Sequence, residues 1–176
     1  MSAMSDIRPT IARQAVVAAV MLAAVAAISG FGALASASNV DGWYANVTKV
    51  PWDPPNAVFA PVWTILYILI ALAGFLIWRS GYRAGTRNAA RGVLALFGVQ
   101  LILNASWTPM FFAGYPVFGE PAWGVALAII TALIVTVVAL AVAAAKWTKL
   151  ASAIMVLYLL WLSFAATLNL GIIVLN

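Results

Sequence analysis

The sequence predicts an all-α integral membrane protein, a single bundle of five transmembrane helices. All thirteen charged side chains lie outside five stretches of 25 to 28 residues each. A bilayer core of about 30 Å needs roughly 20 apolar residues in a helix, so each stretch is long enough to span. The stretches are 14–40, 54–78, 92–119, 121–145 and 150–176.

Composition supports the same class. Hydrophobic residues make up 66% of the chain and charged residues 7%, whereas soluble domains average about 45–50% and 25%. Five spans consume most of the 176 residues. A separate soluble domain is therefore excluded.

The charges divide unequally between the two sides that alternation through five spans defines. One side, with the N-terminus and the 79–91 and 146–149 loops, carries eight cations, and the other carries Lys49 with Asp41, Asp53 and Glu120. For insertion through an inner membrane, this bias predicts a cytoplasmic N-terminus and an external 41–53 loop. Because topology accounts for the basic pI, no nucleic-acid partner is expected. The eight cations are Arg8, Arg13, Arg79, Arg83, Arg87, Arg91, Lys146 and Lys149.

Several classes of chemistry lack their usual residues. The sequence has no cysteine and no histidine, which removes thiol chemistry and the commonest metal ligand, so no metal site is expected. None of the four carboxylates lies within a span. Proton relays and coupled transport usually need a membrane-embedded acid or base. A conventional hydrolase or metalloenzyme is not expected.

The first two spans, about 14–37 and 57–78, flank the one sizeable loop. Ala15, Ala19, Ala23 and Ala27 form a small-residue ridge on span 1 that permits close helix packing. The alternative reading of residues 1–37 is a cleavable signal peptide, although its apolar run is longer than the usual 7–15 residues. The aromatic and proline-rich loop 39–58 either lies in the membrane interface or folds over the bundle as a lid.

Prolines punctuate the second half of the chain. Span 3, about 92–112, meets Pro109, which predicts a kink or an end to the helix there. Pro121 suits the first position of span 4, about 121–145. Span 5 covers about 150–173 and holds Trp161 and Asn169.

Polar and aromatic residues within the spans are the candidates for function. Gln100, Asn104 and Trp107 share one face of span 3, where buried amides serve either as hydrogen bonds between helices or as ligand contacts. Trp78, Trp123 and Trp147 lie at span ends and are predicted to sit in the interfacial belt. Inward-facing Trp63, Trp107 and Trp161 would stack on a flat apolar guest.

Several motifs resemble the TspO/MBR family, which comprises tryptophan-rich sensory proteins and the translocator protein, or peripheral benzodiazepine receptor. They cover the whole chain apart from the first dozen residues and lie in the family's order. The motifs are Trp43-Tyr44, Lys49, Trp52-Asp53-Pro54-Pro55, Phe59-Ala60-Pro61-Val62-Trp63, Gln100 to Trp107 with Phe111-Phe112, and Leu157 to Trp161 with Phe164 to Asn169.

The resemblance implies a five-helix bundle, often a homodimer, with a cavity under loop 39–58 that binds porphyrins, including protoporphyrin IX and haem, or other lipophilic small molecules. It implies a location in a bacterial cell membrane and also allows an outer-membrane location. The resemblance allows two alternatives to a receptor, which are light-dependent porphyrin breakdown near Trp63 and Trp161, and passive transport. No covalent cofactor is implied; lipid and the porphyrin or haem ligand are the expected partners. The pocket residues that match are Tyr44, Pro54, Trp63, Asn104, Trp107, Trp161, Ala165 and Leu168.

Two departures from the family pattern refine these expectations. The usual Lys-Pro reads Lys49-Val50-Pro51, which shifts one proline of the lid. Residues 168–176 lack the tyrosine and the basic residue of the animal cholesterol motif, so no such site is expected. Without histidine or cysteine as axial ligands, free-base porphyrin or loosely held haem fits better, with Lys49 as the external cation for a propionate.

Overall fold

The computed structural model describes residues 9–82 and 88–176, and within these ranges the chain is helical with no strand. Asp6, Arg8, Arg83 and Arg87 fall outside the described residues. Five helices are long and apolar enough to cross a membrane, which confirms the predicted fold class. The α-helices are α1 (Ile11–Val40), α2 (Trp43–Asn46), α3 (Phe59–Ser80), α4 (Arg91–Phe112), α5 (Tyr115–Phe118), α6 (Pro121–Ala145) and α7 (Lys149–Leu175).

The helix ends agree closely with the prolines of the sequence. Pro121 occupies the first turn of α6, as predicted, and a short 3₁₀ turn at Asn56–Val58 leads into α3. Of the two alternatives predicted at Pro109, a kink or an end to the helix, the end is wrong, because α4 continues through Pro109 to Phe112. Only the last turn lies beyond the proline, so the helix loses a single internal hydrogen bond there.

The five spanning helices form a closed ring in the order α1, α3, α7, α6, α4, with α4 returning to α1. The tightest side is built by α6, which packs along α7 and α4. Ile130, Leu133, Val137 and Leu140 of α6 are completely buried at helical spacing. The core is therefore concentrated around α6, while α1 stays largely exposed along its length.

At the end of the bundle opposite the 39–58 loop, the exposed Arg13 side chain packs against two aromatic rings. The Arg13 guanidinium lies 5.3 Å from the Tyr82 ring centroid and 6.0 Å from that of Trp78, and it donates a hydrogen bond of 2.9 Å to the Tyr82 hydroxyl. Trp78 is only 8% exposed. The belt assignment of Trp78 is wrong, because Arg13 and Tyr82 cover its ring.

One close approach between α3 and α4 depends on glycine. A Cβ built on Gly74 would lie 2.5 Å from Cζ of Phe97, well inside contact distance. We expect Gly74→Ala to destabilise the bundle by about 1–3 kcal/mol through overpacking. Gly98→Ala is the matched control, since nothing lies within 4 Å of its added methyl. Thermal unfolding in detergent measures both, and equal effects of the two variants would contradict the prediction.

Candidate functional site

A cavity of about 450 Å³ lies inside the ring at the end that carries the 39–58 loop. Its volume falls within the range of about 300–1,000 Å³ typical of small-molecule sites. Four of the five spanning helices contribute to its wall. The lining residues are Ser29, Gly32, Ala33, Ser36 and Val40 of α1; Tyr44 of α2; Asn56 of the 3₁₀ turn; Phe59, Ala60, Trp63, Thr64 and Tyr67 of α3; Trp107, Thr108, Phe111 and Phe112 of α4; and Ala165, Leu168 and Asn169 of α7.

Aromatic rings cover one continuous side of the cavity. The Trp63 ring stacks on Tyr67 with centroids 5.4 Å apart and tilts against Trp107 at 6.3 Å. Trp107 in turn stacks on Phe111 at 5.8 Å. Helices α3 and α4 thus line this side of the cavity with four aromatic side chains, a surface that favours aromatic and other apolar molecules.

The amide of Asn104 holds three helices together beneath this aromatic surface. Its Oδ1 accepts a hydrogen bond of 2.9 Å from the Tyr67 hydroxyl, and its Nδ2 donates to the Tyr158 hydroxyl. Asn104 is 3% exposed and does not line the cavity. Of the two roles that the sequence left open, the geometry shows hydrogen bonding between helices.

A second pair of hydrogen bonds fixes the deep wall. Trp107 Nε1 donates to Asn169 Oδ1 at 3.3 Å, and Asn169 Nδ2 donates to the backbone oxygen of Trp123 at 3.1 Å. Both side chains also face the cavity. The indole of Trp107 is therefore held at a set orientation by α7 and α6.

The helix α2 forms the roof of the cavity. Tyr44 lines the cavity and is 4% exposed, and Trp43 donates from Nε1 to the backbone oxygen of Phe112 at 2.9 Å. Trp43 also packs against Tyr115 and Trp123, whose rings are parallel with centroids 4.5 Å apart. The belt assignment of Trp123 is wrong as well, because this aromatic cluster leaves it 2% exposed.

Lys49 and Asp53 secure Tyr44 from the outer side. The Tyr44 hydroxyl lies 3.1 Å from Asp53 Oδ1, Lys49 Nζ lies 3.5 Å from Asp53 Oδ2, and the same ammonium sits 3.9 Å from the Tyr44 ring centroid. Burial, the nearby Asp53 charge and the hydrogen bond raise the pKa of Tyr44 above its usual value. Tyr44 therefore stays neutral through the physiological range and continues to donate to Asp53.

The rest of the loop is attached to the end of α7. Thr48 and Asn176 exchange two hydrogen bonds, of 2.8 and 3.0 Å, and Trp52 Nε1 donates to Thr167 Oγ1 at 3.2 Å. Val50 occupies the space where Gly171 has no side chain. Of the two alternatives predicted for loop 39–58, a position in the membrane interface or a lid, these contacts show the loop folded over the mouth of the bundle.

The structure brings some predicted site residues together and separates others. Tyr44, Trp63, Trp107, Ala165 and Leu168 line the cavity. Asn104 lies beneath it, Trp161 stands behind Trp63 with centroids 6.3 Å apart, and Lys49 and half-buried Pro54 lie outside the roof. The predicted nine residues are therefore a mixture of cavity wall and supporting structure.

Sequence reasoning missed the wall that α1 supplies. Ser29, Gly32, Ala33 and Ser36 recur at i, i+3, i+4 and i+7 and so share one face of the helix. The small-residue ridge singled out from the sequence, Ala15 to Ala27, lies nearer the N-terminus. The small polar residues of this second face were the available signal. Removal of residues 1–37 would take this wall away.

The arrangement suits binding by burial and stacking. The cavity wall carries hydroxyl and amide groups but no ionisable acid, amine or imidazole apart from tyrosine. Among the described ranges, no three carboxylate, histidine or cysteine side chains cluster as metal ligands would. Guest orientation therefore depends on ring contacts and on the few polar groups of the wall.

Comparison with known proteins places these features in a family context. The model of the TspO/MBR family matches residues 18–175. The tryptophan-rich protein TspO of Archaeoglobus fulgidus is 37% identical over 153 residues, covering 87% of this chain and 92% of the relative. The translocator protein of Sus scrofa is 34% identical, covering 81% and 82%. The tryptophan-rich sensory protein of Cereibacter sphaeroides is 34% identical, covering 73% of each chain.

Proposed function

Since the chain belongs to the TspO/MBR family of multi-pass membrane proteins, we propose that it is a membrane receptor or sensor for a tetrapyrrole, protoporphyrin IX or haem, held in the cavity beneath α2. The observation that carries the proposal is the aromatic wall of Trp63, Tyr67, Trp107 and Phe111 inside a closed ring of helices. A flat conjugated ring would lie against this wall.

Stacking and apolar burial would supply most of the affinity. An aromatic pair contributes about 0.5–1.5 kcal/mol beyond the burial of its surface, and this wall offers several rings to one guest. Ala165 and Leu168 of α7 add small and branched aliphatic groups to the cavity wall. The preference would be for planar, largely apolar molecules.

The residues present fit a free-base porphyrin better than a tightly ligated haem. Histidine and cysteine are missing from the sequence, and the Tyr44 and Tyr67 hydroxyls are engaged with Asp53 and Asn104. Lys49, the expected partner for a propionate, already pairs with Asp53 outside the roof. Lys49 would reach a propionate only after giving up that ion pair.

The proposal extends to a homodimer in a bacterial cell membrane. Light-dependent breakdown and passive movement of the porphyrin are the two alternatives to a receptor. Both alternatives to a receptor begin with the same bound guest. The adjacency of Trp63 to the cavity and Trp161 to Trp63 gives the photochemical alternative its specific support. Illumination of the complex, with recovery of a discrete product, is the measurement that separates it from simple binding.

Filling the cavity tests the proposal without removing a tryptophan reporter. Ala165 is 3% exposed and lines the cavity, so Ala165→Phe places a ring where the guest would lie. Titration of protoporphyrin IX against tryptophan fluorescence should show saturable quenching in the unaltered protein. We expect the variant to bind roughly tenfold or more weakly, a loss of about 1.4 kcal/mol.

Ser163→Phe is the matched control, since Ser163 lies on the exposed face of the same helix. It should bind like the unaltered protein. Absence of saturable quenching in the unaltered protein, or equal affinity in Ala165→Phe, would refute the proposal.

A further inference from the structure

We propose that the cavity opens sideways into the bilayer between α1 and α3, and that the acyl chain of a phospholipid enters it there when no other guest is bound. The opening, called here the α1–α3 seam, is formed by Ala33 and Ser36 of α1 and by Ala60 and Thr64 of α3. The inference adds a lipid partner and an entry route, and neither depends on the cavity binding a tetrapyrrole.

Apart from Asn56, in the turn that leads into α3, the exposed part of the cavity wall lies at this seam. Of all the lining residues, those classed as exposed are Ala33, Asn56, Ala60 and Thr64. They belong to α1 or to the first turns leading into α3. Every lining residue of α4 and α7 is buried or half-buried. The cavity therefore reaches the protein surface between α1 and α3.

The other sides are closed by packed side chains. Tyr44, tied to Asp53 and covered by Lys49, blocks the roof. Between α3 and α7, the Trp161 ring stands edge-on against Trp63. On the α4 side of α1, a Cβ at Gly32 would meet Thr108 at 3.5 Å, an ordinary contact distance. A guest that leaves the roof intact must pass the seam.

The surface around the seam faces lipid. Phe31 and Leu34 on α1 are 56% and 79% exposed, and Ile65 and Ile68 on α3 are 58% and 56% exposed. These large apolar side chains flank the opening within helices that span the membrane. An exposed apolar surface on a membrane-spanning helix contacts acyl chains and not water.

The polar groups of the seam are already satisfied within their own helices. Ser36 Oγ donates to the backbone oxygen of Ala33 at 3.2 Å, and Thr64 Oγ1 donates to that of Ala60 at 2.8 Å. With these hydroxyls turned to the backbone, the opening presents methyl and methylene groups. That chemistry matches a hydrocarbon chain and gives little to a charged or strongly hydrated molecule.

Photochemical crosslinking tests the seam with the whole protein in vesicles. The probe is a phosphatidylcholine with a diazirine in the middle of one acyl chain, and the adducts are located by mass spectrometry. We expect adducts on cavity residues such as Tyr67, Trp107 and Leu168, as well as on the outward Ile65 and Ile68. Adducts confined to outward-facing residues would overturn the proposal.

Closing the seam provides the second arm. Ala33→Trp and, separately, Thr64→Trp should reduce the cavity adducts by roughly tenfold, an exclusion of about 1.4 kcal/mol, while adducts on outward residues persist. Ala139→Trp, on the exposed face of α6, should leave both sets unchanged. Circular dichroism checks that each variant folds. Cavity adducts unchanged in a folded seam variant would equally overturn the proposal.

Discussion

Asn104→Leu is expected to lower the free energy of unfolding by about 2–3 kcal/mol, because it leaves two buried tyrosine hydroxyls without partners. Tyr67 of α3 and Tyr158 of α7 both bond to this one amide of α4, and Tyr158 is completely buried. Hydrogen bonds between membrane helices average about 0.6 kcal/mol. The larger part of the loss is therefore the unpaired hydroxyls. Reversible unfolding in mixed micelles measures it.

Gln100→Met, one helical turn away, should not lower the free energy of unfolding. Gln100 is completely buried, and neither of its amide atoms has a hydrogen-bond partner among the described residues. Burial of an unpaired polar group costs about 1–3 kcal/mol, so an apolar side chain of similar length should be neutral or stabilising. The pair of variants separates the loss of a bonded amide from the loss of an unbonded one.

Restoring the balance of polar groups provides the decisive control. Adding Tyr67→Phe and Tyr158→Phe to Asn104→Leu removes all three partners, and an apolar replacement of a complete network is nearly neutral. The triple variant should recover much of the lost stability. If Asn104→Leu and Gln100→Met destabilise equally, the assigned hydrogen bonds are not what holds the three helices together.

Trp63→Ala is expected to weaken binding of protoporphyrin IX by roughly 30- to 100-fold. The substitution removes stacking and apolar contact together worth about 2–3 kcal/mol, and each 1.4 kcal/mol is a factor of ten. Trp63 lines the cavity and joins the rings of Tyr67 and Trp107. Fluorescence titration in detergent or nanodiscs gives the dissociation constant.

Trp161→Ala serves as the matched comparison, since it removes the same side chain from a position behind the wall. Trp161 touches Trp63 edge-on and lies outside the set of lining residues. Its effect should be indirect and no more than about fivefold, below 1 kcal/mol. An equal or larger loss in Trp161→Ala would show that the guest occupies a different place. Under illumination, an altered product yield in Trp161→Ala with unchanged affinity would favour the photochemical alternative.

The roles of individual tryptophans show where sequence reasoning reached its limit. Trp78 and Trp123 stand at span ends, the usual position of interfacial residues, yet both rings are buried. Trp123 is enclosed by Trp43 of the loop and Tyr115 of α5. Neither neighbour belongs to span 4 itself. Contacts of this kind depend on how separate segments meet, which position along a span does not reveal.

The amides illustrate a second limit. Spacing placed Gln100 and Asn104 on one inward face, and both are indeed buried. Only the positions of Tyr67 and Tyr158, on two other helices, decide that Asn104 is bonded while Gln100 has no partner among the described residues. A pattern along one helix carries no information about the register of its neighbours.

The linear chain alone determined the number of membrane spans, the start of span 4 at Pro121, and the family, because these depend on local hydropathy, on backbone chemistry and on short motifs. Tertiary structure decided which rings face the cavity, that α1 supplies one of its walls, and that the exposed lining residues lie along the α1–α3 seam. Those features arise from the relative rotation and spacing of helices, which are set by packing among residues far apart in the chain.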